Sequence, residues 1–220
     1  MRENFHQQLE HLKDQLLGMA LQVDRSVADA VQAYVHNDLD LAQRVLGSEL
    51  QIDRMEQDVD RYAIELLAME QPMAIDLRFI LSVMRINSDL ERIGDQATNI
   101  AERLHEIHRV NRIELPVDIA ASGAHARRML ALAMQAFQEG NSDLAETVLA
   151  MDDEIDQHAR EAFTNLSNVI SERPSVSAQA LNALLVSRIL ERVADHATNI
   201  AEDVIFWLRA DDVRHTQSRL

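Results

Sequence analysis

The stretch Leu90-Glu91-Arg92-Ile93-Gly94-Asp95-Gln96-Ala97-Thr98-Asn99-Ile100-Ala101-Glu102 returns 100 residues later as Leu190-Glu191-Arg192-Val193-Ala194-Asp195-His196-Ala197-Thr198-Asn199-Ile200-Ala201-Glu202. Ten of the thirteen positions are identical, too many for an accident of composition, so the chain is a tandem duplication. In the first copy Leu90, Ile93, Ala97, Ile100 and Leu104 recur at helical spacing and form one apolar stripe. Both copies keep a Glu-x-x-x-Asp-x-x-x-Asn series, which a helix places along one face.

The repeat extends outward from this motif. Asp40-Leu41-Ala42-Gln43-Arg44-Val45-Leu46 resembles Asp143-Leu144-Ala145-Glu146-Thr147-Val148-Leu149, and Glu49-x-x-Ile52-Asp53 lines up with Asp152-x-x-Ile155-Asp156. Helical patterns are interrupted at His36-Asn37-Asp38, Gln71-Pro72, the stretch around Glu114-Leu115-Pro116, Gly140-Asn141-Ser142 and Arg173-Pro174. All three prolines lie between periodic segments, where Pro marks a boundary. The expected fold is all-α: six long helices in two pseudo-symmetric three-helix bundles, over residues 1–112 and 113–220. Helices of about 30 residues are about 45 Å long. Short connections make neighbours antiparallel, so each bundle runs up, down and up.

Composition bounds the function. The 220 residues are 47% hydrophobic and only 4% aromatic, so the core must be aliphatic, with the nine Met residues read as core filler. A net charge of −16 repels phosphates, which argues against a nucleic-acid partner and suits cations or a basic protein surface. No cysteine is present, so thiolate metal sites are excluded. The opening Met1-Arg2-Glu3-Asn4-Phe5-His6-Gln7 lacks the apolar run of a signal peptide. No segment approaches the roughly 20 apolar residues of a membrane span. A cytoplasmic protein that meets the membrane only through partners is expected.

The acidic positions carry the chemistry. With Glu91 as origin on a helical wheel, Asp95, Thr98, Asn99 and Glu102 lie within about 80° of it, almost opposite the apolar stripe. Glu49, Asp53, Glu56 and Asp60 share one face of the preceding helix in the same way. In the second half Asp152 and Asp156 keep this pattern, whereas Ala159 and Phe163 replace the outer two acids. Each half therefore carries two acidic i,i+4 pairs on neighbouring helices: Glu49 with Asp53 and Glu91 with Asp95, then Asp152 with Asp156 and Glu191 with Asp195. Carboxylates at that spacing repel by up to ~0.5 kcal/mol per pair. A multivalent cation reverses the sign, and an all-oxygen ligand set favours hard ions. The competing reading is a solvated acidic face, the common fate of a single such pair, and matched recurrence in both halves weighs against it.

Other motifs are weaker. Arg92 and Arg192 flank the acids and suit ion pairing. His158 and His196 lie off the acidic faces and read as surface or satisfied histidines. Glu102-x-x-His105 is half of a di-iron carboxylate motif, but Ile205 stands at the corresponding place in the second repeat. No Gly-rich phosphate loop, nucleophile elbow or H-E-x-x-H motif occurs, so an enzyme is not expected.

Gln71-Pro72-Met73-Ala74-Ile75-Asp76-Leu77-Arg78, with Asp89-Leu90-Glu91-Arg92-Ile93-Gly94-Asp95 and Asn99-Ile100-Ala101-Glu102, resembles the first repeat of the PhoU family, and 190–202 resembles the second. The resemblance spans nearly the whole chain. It implies two three-helix bundles with multinuclear metal clusters, of Fe, Mn, Mg or Zn, held at the surface by Glu49, Asp53, Glu91, Asp95, Asp152, Asp156, Glu191 and Asp195. It further implies a cytoplasmic regulator that couples the ATPase subunit of the high-affinity phosphate ABC transporter to a sensor histidine kinase; a homodimer is expected separately, since long helices with two acidic faces are compatible with a dimer bridged through metal. Such a protein keeps the phosphate-starvation response off when phosphate is plentiful. A di-iron metalloprotein, or an adaptor for another transport or persistence pathway, are the alternatives. Ala210 replaces the Gly usual in this family, which affects only the end of the last helix.

Overall fold

The structure, a computed structural model, describes residues 2–110 and 112–211. Its elements are α1 (Arg2–His36), α2 (Leu39–Glu70), α3 (Ala74–Ile107), α4 (Ile119–Glu139), α5 (Ser142–Glu172), a 3-10 turn (Pro174–Val176) and α6 (Ser177–Arg209). Five helices have 31 to 35 residues. α4 has only 21, shorter than expected, because Pro116 interrupts the chain and Asp118 then caps a new helix, accepting from the Ala121 amide at 2.8 Å.

The duplication is visible in the caps. Asp38 accepts the Leu41 amide at 2.9 Å to start α2, and Asn141 accepts those of Asp143 and Leu144 to start α5. Asn37 and Gly140 supply the left-handed residue of the two tight turns, at φ 57° and 61°. Ala210 ends α6 at φ 61°, so the missing Gly costs about 1 kcal/mol of backbone strain.

Within each half the three helices pack on one another. Between halves, equivalent helices meet: α1 on α4, and α3 on α6. Among the described residues α2 and α5 touch no helix of the other half and form the outer flanks. That pattern is a pseudo-two-fold, and side chains repeat it. Ser82 Oγ on α3 donates to the Asp203 carbonyl on α6 at 2.9 Å, and Asn182 on α6 donates to the Arg103 carbonyl on α3 at 3.0 Å. These pairs occupy equivalent places in the two repeats. Tyr34 donates to Asn182 Oδ1 at 2.9 Å, and burial pushes its phenol up to about 12, with Arg112 opposing.

The core is continuous across both halves and is aliphatic as expected. Leu90, Ile93, Ala97, Ile100 and Leu104 are fully buried. Fully burying one such Leu or Ile stabilises by about 1.5–3 kcal/mol. Three of the eight aromatics cluster, with Phe79, Phe137 and Trp207 lying 5.0 to 5.8 Å apart. The methionines divide. Met19, Met129 and Met134 are core, but Met69 and Met73 are 77% and 76% exposed, which corrects the reading of all nine as filler.

Candidate functional site

α2 and α3 are antiparallel, and their register brings the two acidic stripes of the first half together. Glu49 feels the charges of Asp53, Asp95 and Glu102, whereas Glu56 feels those of Asp60, Asp53 and Asp95. Close packing makes this possible: a Cβ added at Gly94 would lie 3.0 Å from Ile52 Cδ1, so the glycine sets how near α2 comes to α3. Desolvation between the helices raises the carboxyls of Glu49, Glu56, Glu91 and Asp95 above the usual range. Their acidic neighbours raise them further, Asp53 acting on all four. Among the described residues none of Glu49, Asp53, Glu56, Glu91 and Asp95 is in an ion pair. At the end of this face, fully buried Asn87 donates to Asp60 Oδ1 at 3.0 Å and to the Glu56 carbonyl at 2.9 Å.

α5 and α6 bring Asp152, Asp156, Glu191 and Asp195 together in the same register. Desolvation raises Asp152, with Asp156 adding to the effect and a Thr198 hydroxyl at 3.3 Å opposing it. Asp195 reaches water, yet the groups packed around it desolvate its carboxyl enough to raise it, and Asp152, Glu191 and Asp156 push the same way. Here, however, arginines are present. Arg188 binds both oxygens of Glu191, at 2.8 and 2.6 Å, and Arg160 reaches Asp156 at 3.4 Å. In place of Glu56 and Asp60, Ala159 and Phe163 line a groove of about 680 Å³ with Leu184 and Leu185.

The donor set, carboxylates on both faces with the Thr198 hydroxyl beside the second, fits hard cations. Asn87 Oδ1 adds a buried acceptor oxygen without a donor at the edge of the first face. The ligands are not preassembled: among the described residues no three of Asp, Glu and His are already placed to hold one ion. A cation would have to draw the carboxylates inward. Glu102 is exposed while His105 stacks edge-on with His108 at 6.2 Å, and buried Ile205 faces the core in the other half.

Two acids escaped the sequence reading. Asp89 and Asp203 are buried in the α3–α6 seam. Asp89 accepts from His196 Nδ1 at 2.8 Å and from Asn199 at 3.3 Å, and Asp203 pairs with Arg85 at 3.0 Å. His196 is thus a satisfied histidine, as expected, and Arg92 turns toward Asp89 at 4.0 Å. Asp89 lies on the apolar side of the α3 wheel, the one signal that marks it.

A tandem pair of three-helix repeats, each with a carboxylate-lined seam on its outer flank, defines a narrow class of all-α protein. The chain belongs to the PhoU family: the profile described as "PhoU domain" matches residues 16–104 and 119–204, one match in each repeat. It is 38% identical over 216 residues to the phosphate-specific transport system accessory protein PhoU homolog of Pseudomonas aeruginosa, covering 97% of this chain and 88% of that one. It is 29% identical over 211 residues to the phosphate-specific transport system accessory protein PhoU of Escherichia coli, covering 96% and 88%. The crystal structure of PhoU from Pseudomonas aeruginosa superimposes with a TM-score of 0.90 at 36% identity, covering 94% of this chain and all of that one. The phosphate transport system regulatory protein PhoU of Streptococcus pneumoniae gives 0.83 at 25% identity, covering 94% and 98%.

Proposed function

We propose that this chain is a non-enzymatic accessory protein of phosphate uptake. It acts as an adaptor between the ATPase subunit of a phosphate ABC transporter and a sensor histidine kinase, and it holds the starvation response off when phosphate is plentiful. The supporting observation is likeness along 97% of the chain to a protein named as an accessory of the phosphate-specific transport system. Among the described residues no helix is long and apolar enough to cross a membrane, consistent with contact to the membrane through partners. The acidic charge suits basic partner surfaces. Cytoplasmic location and a homodimer belong to the same reading.

The cation-binding role is part of the proposal. Glu49, Asp53, Glu91 and Asp95 would hold ions on the first face, and Asp152, Asp156, Glu191 and Asp195 on the second. A bound ion supplies charge neutralisation, turning mutually repelling carboxylates into a cross-link between two helices. The regulatory role is tested by alkaline phosphatase activity in the host with this gene deleted, grown in excess phosphate. High activity is expected, and activity equal to the parent's overturns the reading. Elemental analysis of the purified protein and of a Glu91→Ala, Asp95→Ala variant tests the metal role, with less bound metal expected in the variant.

A further inference from the structure

We infer that the α2–α3 hairpin end is a docking surface for a basic, apolar-faced helical segment of a protein partner. This goes beyond the proposed function, which assigns no contact surface. Five of the large exposed hydrophobic residues fall between 64 and 77: Ile64, Met69, Met73, Ile75 and Leu77, each 38% to 77% exposed. Met69, Met73 and Ile75 lie within three residues of the turn at Gln71-Pro72, whereas Ile64 lies two turns back along α2 and Leu77 points away from Ile75 on α3. Gln71 and Ala74 hold left-handed backbone, φ 44° and 37°, on either side of Pro72-Met73, so the turn presents Met73 outward at the tip. Exposed methionine suits a surface that adapts to a partner's apolar residues.

The equivalent end of the second half is built differently. Its turn is Arg173-Pro174-Ser175-Val176, where Ser177 closes back on the Pro174 carbonyl at 2.7 Å. Its apolar residues, Ile170 and Val176, pack inward against a small cluster around Leu166. The duplication therefore kept the turn in both halves and put exposed methionines at the turn of only one; the large apolar residues exposed in the second half, Phe163, Leu181 and Leu185, lie along α5 and α6. A chain that needed the turn for folding alone would have no use for that difference, because exposed apolar clusters mark contact sites.

Charge selects the occupant. Between residues 58 and 78 the acids are Asp58, Asp60, Glu65, Glu70 and Asp76; of the two cations Arg61 pairs with Asp58, and Arg78 donates its Nε–H to the Trp207 carbonyl at 3.1 Å. A second copy of this chain would bring the same acids against themselves, and an anionic membrane would be repelled. A segment with lysines or arginines beside an apolar stripe meets both the methionines and the acids.

The test uses the full chain and a dye-labelled helical peptide of about 18 residues, Leu on one face and Lys on the other, long enough to present a full stripe. Fluorescence anisotropy should show binding that weakens with salt. The Met69→Ser, Met73→Ser, Ile75→Ser variant should bind about tenfold more weakly or worse. Phe163→Ser, which removes an exposed aromatic elsewhere, should bind as the parent does. Met73→Ser alone serves if circular dichroism shows the triple variant unfolded. Undiminished binding by the variants overturns the proposal. So does equal binding of a Leu/Glu peptide, a loss that follows Asp53→Asn with Asp95→Asn instead, or a fall in sedimentation coefficient showing that a second copy occupies the tip. Co-purification of the transport ATPase subunit is a separate readout, whose failure counts against the proposed function and leaves the peptide result standing.

Discussion

The two acidic faces occupy equivalent places in the two repeats and are built for different charge states. The first gathers Glu49, Asp53, Glu56, Asp60, Glu91, Asp95 and Glu102. It has a glycine at the helix crossing, and no ion pair among the described residues reaches its five central acids. The second keeps five of the seven acids, Asp152, Asp156, Glu191, Asp195 and Glu202, pairs two of them with Arg188 and Arg160, has Ala194 where the first has Gly94, and replaces the other two acids with Ala159 and Phe163. Duplication preserved the register of the carboxylates, while their neighbours diverged. One face carries its repulsion without ion pairs, whereas the other has two of its acids paired and leaves Asp195 still pushed up by Asp152, Glu191 and Asp156.

The largest consequence is in cation affinity. Asp53→Asn with Asp95→Asn removes the two carboxylates that couple most widely on the first face. We expect apparent Mn²⁺ affinity there to fall by about 100-fold or more, since losing even an outer-shell partner of a ligand costs about 10–100-fold. The equivalent Asp152→Asn with Asp195→Asn should cost less, about tenfold. Isothermal titration with manganese chloride measures both, and equal losses would mean that the arginines and the missing acids make no difference.

A smaller effect comes from the arginines themselves. Arg188 is well exposed, so its bond to Glu191 contributes at most about 1 kcal/mol. Arg188→Gln should therefore raise Mn²⁺ affinity at the second face by up to about fivefold, because the ion no longer competes with a guanidinium. The first face should not respond. A decrease would show that Arg188 orients Glu191 for the ion rather than occupying it.

Much of this difference was legible in the sequence. Helical spacing and the thirteen-residue repeat gave the fold, the breaks and the stripe of Leu90, Ile93 and Ile100. The loss of acids at Ala159 and Phe163 could be read by aligning the halves. What could not be read is what depends on rotamers and on chain segments distant in sequence. Arg188 is one helical turn before Glu191 and could equally have pointed to solvent. Asp89 and His196 are 107 residues apart and meet only because the repeats pack α3 on α6. The outward Met69 and Met73 were misread for the same reason: composition ranks methionine as core, and only the hairpin's end position exposes it.

The smallest expected effect is on stability without metal. Burial and like charges raise Glu91 and Asp95 above their ordinary range in the fold. The folded chain then binds those protons more tightly than the unfolded chain does, so ionising them costs stability. That cost is absent below the ordinary carboxylate value near pH 4, grows as pH rises through the raised values, and is complete above them. Glu91→Gln with Asp95→Asn removes the cost. At pH 7, in chelator, the variant should be more stable by about 0.5 kcal/mol, about 1–2 °C in melting temperature for a chain of this size. The gap should close as pH falls toward 4. With excess Mn²⁺ the order should reverse, because the ion stabilises only the chain that still has its carboxylates. A variant no more stable than the parent in chelator would mean that solvent already screens these charges. The reversal with metal would then be the only sign that the face was built for a cation.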